Sequence, residues 1–218
     1  MKEIGRLRQL LGRRNFVGIA LLGAAGMYKA ASAAAPTEIM QPIAMLNEAI
    51  LRAWRADTDV PFSDRYGMLR PAVERALDLP AILRASVGLR WAGLSAPDQA
   101  TLLTVFERYT VASYVAGFTR YAGQTIEIDP DPRRIGADWV VGTRTLRRDG
   151  PGARIDYVMH LADGDEPVWK ASDVLLDGTI SRVSVQRSDF RASLSEAGAE
   201  GLIAHLRQRI ADLSGATV

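Results

Sequence analysis

The spacing of apolar residues changes near Thr125, and this change limits the chain to folds that combine helices with a sheet. Before it, apolar residues recur every three or four positions, as on one face of a helix. After it, short runs alternate apolar and polar residues, as in strands with one buried face. A last stretch, residues 189–213, returns to helical spacing. We therefore predict an α+β fold, with helices packed on a curved antiparallel sheet of four or slightly more strands that encloses an apolar pocket.

Helices occupy the region before the change. Three of them are predicted at residues 39–56, 64–77 and 79–88. A fourth begins after Ser95, because a serine can cap the helix, Pro97 suits its first turn and Asp98 stands where a capping-box acid belongs. This helix is predicted to run to about Tyr121. Its aromatic residues recur at helical spacing, which indicates core packing, with some rings available to line a cavity.

Four β-rich runs follow, separated by turns that contain Asp and Gly. They are predicted to form an antiparallel meander of strands at residues 139–148, 153–162, 167–176 and 179–187. Asp177 and Gly178 fit a two-residue turn with positive φ. Strict alternation would place Asp173 on the face of Trp169 and Ser172 on the face of Val174. An acid and a serine on opposite faces cannot act together, so Asp173 is predicted to be a structural ion-pair or hydrogen-bond partner.

Few residues in the chain could carry catalytic or metal chemistry. Cysteine is absent, which excludes thiol chemistry, thiolate metal sites and disulfides. His160 and His205 are far apart on different predicted elements, which leaves little material for zinc or for a serine-histidine-acid triad. His160 is predicted to be a solvent-side strand residue and His205 a helix-face residue. No metal, cofactor or catalytic set is expected.

The N-terminal segment has the parts of an export signal peptide. Basic residues come first, residues 16–27 are a twelve-residue apolar stretch, and small residues follow. A membrane core of ~30 Å needs roughly 20 apolar residues, so export with cleavage is favoured over a membrane anchor. Cleavage is predicted after Ala33, leaving a single domain at residues 34–218. Arg13 and Arg14 resemble a twin-arginine export signal.

The net charge does not indicate nucleic-acid binding. Residues 1–33 contain six Lys or Arg and one Glu, a net charge of +5, whereas the whole chain carries +2. The remaining residues therefore carry −3. Since the positive excess lies in the segment predicted to be removed, no nucleic-acid partner is expected.

Three stretches resemble successive signatures of the MlaC family, the periplasmic auxiliary components also known as toluene-tolerance or organic-solvent-resistance proteins. They are Val87 to Ile128, Trp169 to Phe190, and GAEGLIAHL at residues 198–206. The details VASY, RYAG and QRSDF are most similar to the hopanoid-associated branch, HpnM. The resemblance implies a periplasmic, non-enzymatic carrier that shelters lipid tails in the pocket. It would be a monomer and would move a phospholipid or a hopanoid between inner- and outer-membrane transport complexes.

The pocket residues are predicted from the large side chains expected between helices and sheet. They are Trp91, Phe106, Tyr114, Phe118, Tyr157, Met159, Trp169, Val174, Val183 and Val185. Several must belong to the core instead, because Trp169 and Val174 have opposite strand parity. Arg187 and Asp189, in QRSDF, are interpreted as a strand-to-helix junction that stabilises the fold.

Two other functions are open at this point. A periplasmic enzyme on a similar scaffold, with Asp173 or Asp156 as acid or base, predicts a carboxylate buried in the cavity with a raised pKa. A transporter adaptor without a ligand predicts a filled core and an exposed apolar patch.

Overall fold

The computed structural model describes residues 36–56, 59–118, 121–147, 150–164 and 167–215. The predicted signal peptide, including Arg13, Arg14 and the cleavage point after Ala33, lies outside these residues. The helices are α1 (Pro36–Arg55), α2 (Phe62–Ala76), α3 (Leu79–Val87), α4 (Ala96–Gly117) and α5 (Arg182–Ser214), with a 3₁₀ helix at Gly88–Gly93. The strands are β1 (Thr125–Ile128), β2 (Arg133–Ile135), β3 (Asp138–Arg147), β4 (Gly150–Ala162), β5 (Val168–Leu176) and β6 (Ile180–Ser181). The predicted α+β class is confirmed.

The strands form one open, curved antiparallel sheet in the order β1-β3-β4-β5-β6. β2 also pairs with β3, beyond the end of β1 along the same edge. The sheet therefore has six strands, and the two short strands before β3 were not predicted. None of the described helices is long and apolar enough to cross a membrane.

The four predicted helices before the sheet are present, and side chains cap the starts of α3 and α4. At α4 the Ser95 Oγ accepts a hydrogen bond from the Asp98 backbone N–H at 3.2 Å and donates one to the Asp98 carboxylate at 2.7 Å. This is the capping arrangement expected from SAPD. The helix ends at Gly117, with Phe118 as its C-cap, so the predicted extension to Tyr121 is wrong.

The fourth predicted strand, residues 179–187, is the main error in the predicted topology. Only Ile180 and Ser181 pair with β5, and α5 begins at the next residue. Its alternating valines matched the strand pattern, but burial follows Val183, Gln186 and Phe190, which is helical spacing. Ser181 caps the helix, because its Oγ accepts a hydrogen bond from the Ser184 N–H at 3.0 Å.

A β-bulge changes which side chains of β5 face the core. Met159 of β4 pairs with Ala171 and Val158 pairs with Asp173, so Ser172 is one extra residue on β5. The extra residue lets Ala171 and Val174 both lie buried in the core, which Trp169 also contacts. The prediction that Trp169 and Val174 face opposite sides is therefore wrong.

The turn between β5 and β6 has the conformation that its sequence predicts. Asp177 has φ of 50° and Gly178 has φ of 71°. The Thr179 N–H donates to the Leu176 carbonyl at 3.1 Å. Asp177 is thus a turn residue, in a backbone region that favours Gly and Asp over bulky residues.

Asp173 joins the end of the sheet to the last helix. Its Oδ1 accepts hydrogen bonds from the backbone N–H groups of Val174 at 2.7 Å and Val183 at 3.1 Å. Its Oδ2 accepts a hydrogen bond from the Ser181 Oγ. A carboxylate at the first turn of a helix satisfies N–H groups that lack helical partners and interacts favourably with the helix dipole. Asp173 is a structural hydrogen-bond partner, as predicted.

We expect Asp173→Ala to lower the free energy of unfolding by about 1–3 kcal/mol, because it leaves part-buried donors at the start of α5 without an acceptor. Chemical denaturation measures the change. Asp189 is exposed and lies about two turns inside α5, so it is not at the strand-to-helix junction predicted for it. Asp189→Ala is therefore the matched control and should stay within about 0.5 kcal/mol of the parent. Equal effects of the two substitutions would contradict this role for Asp173.

Candidate functional site

A cavity of about 280 Å³ lies between α4, the start of α5 and strands β3 to β5. It occupies the position predicted for the pocket, and its volume is close to the lower end of the ~300–1,000 Å³ that small-molecule pockets cover. Its wall is mainly apolar. The lining residues that reasoning from the sequence predicted are Phe106, Tyr114, Phe118, Val174 and Val183.

The other five predicted residues lie elsewhere. Tyr157 and Met159 are buried in the core, and Trp169 packs against that core. Trp91 borders a separate groove beside the 3₁₀ helix. Val185 is exposed, because residues two apart on a helix point in different directions, whereas the predicted strand put Val183 and Val185 on one face. Whether the five lining residues contact a ligand stays a prediction.

More than half of the residues of the cavity wall were not predicted from the sequence. These residues are Leu77, Ile82, Thr110, Ser113, Gly117, Thr145, Ala153, Ile155, Leu176, Arg182 and Gln186. Helical spacing alone could have found part of this set, since Thr110, Ser113 and Gly117 follow Phe106 at intervals of three and four. Arg182 and Gln186 could not be found while their segment was assigned to a strand.

Most polar groups of the cavity wall already have partners. Asp173, which also lines the cavity, is bonded to the start of α5. The buried Gln186 Oε1 accepts a hydrogen bond from the Ser86 Oγ at 3.1 Å. Arg182 is half-buried and lines the cavity, and it forms no ion pair with another described residue. The guanidinium of Arg182 is therefore the group in this wall that is best able to interact with an anion.

Tyr114, in the cavity wall, pairs with Tyr157 of the core. The hydroxyl groups of Tyr114 and Tyr157 hydrogen-bond to each other. Burial raises the pKa of Tyr157 well above its ordinary value of 10.0 and also raises the pKa of Tyr114, which the charge of Arg182 partly opposes. Both hydroxyls are therefore neutral near pH 7 and satisfy each other.

Asp156 is buried but belongs to a different cluster. Its Oδ1 lies 2.9 Å from the Arg154 Nε, and its Oδ2 lies 2.9 Å from the Arg133 Nη2. Arg154 also binds Asp129, with 3.0 Å between Nη2 and Oδ2. Gly178 packs against this cluster, where a Cβ would come within 3.1 Å of the Arg154 Nε. Asp156 does not line the cavity, so the arrangement predicted for a catalytic Asp156 is not found.

His160 is not the solvent-side residue that the strand pattern predicts. Only 27% of its side chain is exposed, and its Nε2 lies 2.9 Å from the Asp78 Oδ2. Asp78 also caps α3, because its Oδ1 accepts a hydrogen bond from the Ala81 N–H at 3.0 Å. His160 thus connects the sheet to a helix start. In the described part of the chain, no group of three His, Asp or Glu residues is placed to hold a metal ion.

The chain is similar to known proteins in its sequence and in its fold. The MlaC protein family model matches residues 46–208. The structure is similar to that of the phospholipid-binding protein from Ralstonia solanacearum, which was solved in complex with a phospholipid. The TM-score is 0.68 at 16% sequence identity, and the alignment covers 81% of this chain and 99% of that one. No curated protein sequence matches the chain significantly.

We expect Tyr157→Phe to lower the free energy of unfolding by about 1 kcal/mol, because it leaves the Tyr114 hydroxyl without its partner. The double variant, with both tyrosines replaced by phenylalanine, leaves no unpaired hydroxyl. Its loss of stability should therefore be smaller than the sum of the losses in the two single variants. Denaturant unfolding of the parent, the two single variants and the double variant measures these free energies.

A raised pKa means that the folded state favours the neutral tyrosine. This contribution is complete below the ordinary pKa of 10.0 and is lost as the pH rises above it. As the pH is raised above 10, the double variant should therefore lose less stability than the parent. If the stability losses of the two single variants simply add up in the double variant, the two hydroxyls do not pair.

Proposed function

The chain belongs to the MlaC family, and from this premise we propose that it is a periplasmic protein that binds a lipid in the cavity between α4, α5 and the sheet. The observation that carries the proposal is the apolar cavity itself, lined by Phe106, Phe118, Val174 and Val183. The phospholipid bound to the Ralstonia protein of similar fold supports it. A hydrocarbon tail is the ligand class that best matches such a wall.

The binding force would come from burial of the tail. Each methylene group kept from water contributes about 0.8 kcal/mol, so affinity requires no directional contacts. The tyrosine pair and the Ser86–Gln186 pair are already satisfied, so they would not compete for polar groups of the ligand. We place the headgroup near Arg182, whose half-exposed guanidinium could interact with a phosphate.

The volume of the cavity bears on the identity of the cargo. At about 280 Å³, it suits part of one flexible tail better than a whole two-tailed lipid or a fused-ring hopanoid. Binding either of these in full would need α4 and α5 to move apart. We therefore propose a phospholipid tail as the first cargo to test. The hopanoid remains the alternative that the similarity to the HpnM branch suggests.

The wider role follows from the family and from the sequence of the N-terminal segment. We propose export through Arg13 and Arg14, cleavage after Ala33, and a monomeric domain at residues 34–218. This domain would carry lipid between inner- and outer-membrane transport complexes, without a cofactor or a nucleic-acid partner. The cavity argues against a ligand-free adaptor with a filled core. The structural bonds of Asp173 and Asp156 argue against the enzyme hypothesis.

Gly117 gives a direct test of the cavity. It lines the cavity near the end of α4, and a Cβ added there would meet no atom within 4 Å. We expect Gly117→Phe to reduce the phospholipid that co-purifies with the protein several-fold, because the ring would occupy the space of the tail. Mass spectrometry of extracted lipids, relative to protein, measures the ratio.

Gly67→Phe is the matched control. Like Gly117, Gly67 is an exposed helical glycine at which an added Cβ would meet no atom within 4 Å, but it lies on α2 and does not line the cavity. It should leave the lipid ratio unchanged. If the parent protein carries no lipid, or if both variants retain it equally, the proposed site is wrong. If the parent protein carries a hopanoid and not a phospholipid, the proposed site stands and the proposed cargo is wrong.

A further inference from the structure

An open groove of about 690 Å³ runs between α3, the 3₁₀ helix and α5. Four exposed arginines border it: Arg84, Arg90, Arg187 and Arg191. None of its lining residues belongs to the lining of the apolar cavity. The groove is therefore a second surface, which the proposed cargo site does not explain.

Two of the four guanidinium groups are held in place by bonds between elements. The Arg187 Nε and Nη2 donate to the Ala85 carbonyl at 3.0 and 2.6 Å, which ties α5 to the last turn of α3. Arg90 donates to the Leu194 carbonyl and to the Ser195 Oγ, each at 3.0 Å. A guanidinium has five N–H donors, so each of these arginines keeps donors that can point into the groove.

The groove concentrates positive charge. None of the four arginines forms an ion pair with a carboxylate in the part of the chain that the structure describes. Arg187 and Arg191 are also four residues apart on one helix, where like charges slightly destabilise it. Residues 34–218 carry a net charge of −3, so this concentration of cations does not follow from the composition of the domain. The charge complements an anionic partner.

Apolar side chains at the same place narrow the choice of partner. Leu89, in the 3₁₀ helix, is fully exposed. Trp91 of the same helix is half-buried and lines the groove. Arginines next to a protruding leucine and a tryptophan are typical of protein segments that contact a membrane interface. The cations attract anionic headgroups, while the apolar side chains enter the boundary between headgroups and tails.

We propose that this groove contacts the anionic surface of a phospholipid bilayer. The arginines bind headgroup phosphates, and Leu89 enters the interface. A bilayer accommodates a single protruding leucine without a matching pocket, which a protein partner would have to supply. The inference goes beyond cargo binding, since a lipid tail in the cavity requires no contact between the protein and a bilayer.

The absence of cysteine allows a site-specific test on the full chain. Leu89→Cys introduces one thiol, to which the environment-sensitive fluorophore NBD is attached. Ile135→Cys is the matched control, because Ile135 is also an exposed apolar residue but lies on the β2 strand. Vesicles of phosphatidylcholine, with or without phosphatidylglycerol, are then added. We expect a several-fold increase in fluorescence at position 89 with the anionic vesicles and little change at position 135.

A charge test accompanies the label. Arg84→Gln with Arg191→Gln should remove most of the response at position 89, as should high salt. Arg75→Gln with Arg207→Gln, which removes two exposed arginines outside the groove, should retain it. Arg90 and Arg187 stay unchanged because their bonds support the fold.

Each other result overturns the proposal. Equal responses at positions 89 and 135 would mean that another segment, such as residues 1–33, brings the protein to the vesicle. No response at position 89 in a folded protein would exclude bilayer contact and leave an acidic protein segment as the partner to seek. Gly117→Phe should retain the response, so failure of cargo binding and failure of bilayer contact give different results.

Discussion

The bonds of Asp173 determine where α5 begins, and both candidate surfaces depend on that point. The carboxylate binds the Ser181 hydroxyl and the Val183 N–H, so the chain turns from strand to helix within a few residues of the β5–β6 turn. Val183 and Gln186 then face the cavity. Arg187 and Arg191 face the groove. A helix that began one residue later would rotate these side chains by about 100° about its axis, and both surfaces would be lost.

The way in which buried polar groups are satisfied explains why the cavity can favour hydrocarbon. An unpaired hydroxyl or amide in an apolar wall would bind water or select a polar ligand. Here the Tyr114 and Tyr157 hydroxyls pair with each other, and Gln186 pairs with Ser86. These pairs leave the wall largely apolar in its chemistry. The Thr110 hydroxyl is buried in the wall without a hydrogen-bond partner among the described residues, so one polar group remains beside the hydrocarbon surface.

The sequence was sufficient for the elements that local chemistry specifies. The cap at Ser95 and the positive φ at Asp177 each follow from a few adjacent residues, and both predictions are confirmed. The segment after Ile180 was assigned to a strand because alternation over a few residues fits a strand and a short amphipathic helix almost equally well. Burial at Val183, Gln186 and Phe190 distinguishes the two, but burial depends on α3 and α4, which lie far away along the chain.

Residues of the pocket were harder to predict than helices and strands. How deeply a side chain is buried, and which face of a strand it lies on, both depend on tertiary structure. The bulge at Ser172 reversed the parity on which the choice between Trp169 and Val174 rested. Nothing in the composition of β5 marks that extra residue, since a bulge is set by the pairing of two strands. Tyr157 and Ile155 share a face of β4, yet only Ile155 reaches the cavity wall, while Tyr157 lies in the core. Periodicity identifies the side of an element that is buried. The packing of a third element over that side decides which of its residues border empty space, and here that element is α5, positioned by a carboxylate that first looked like a candidate for catalysis.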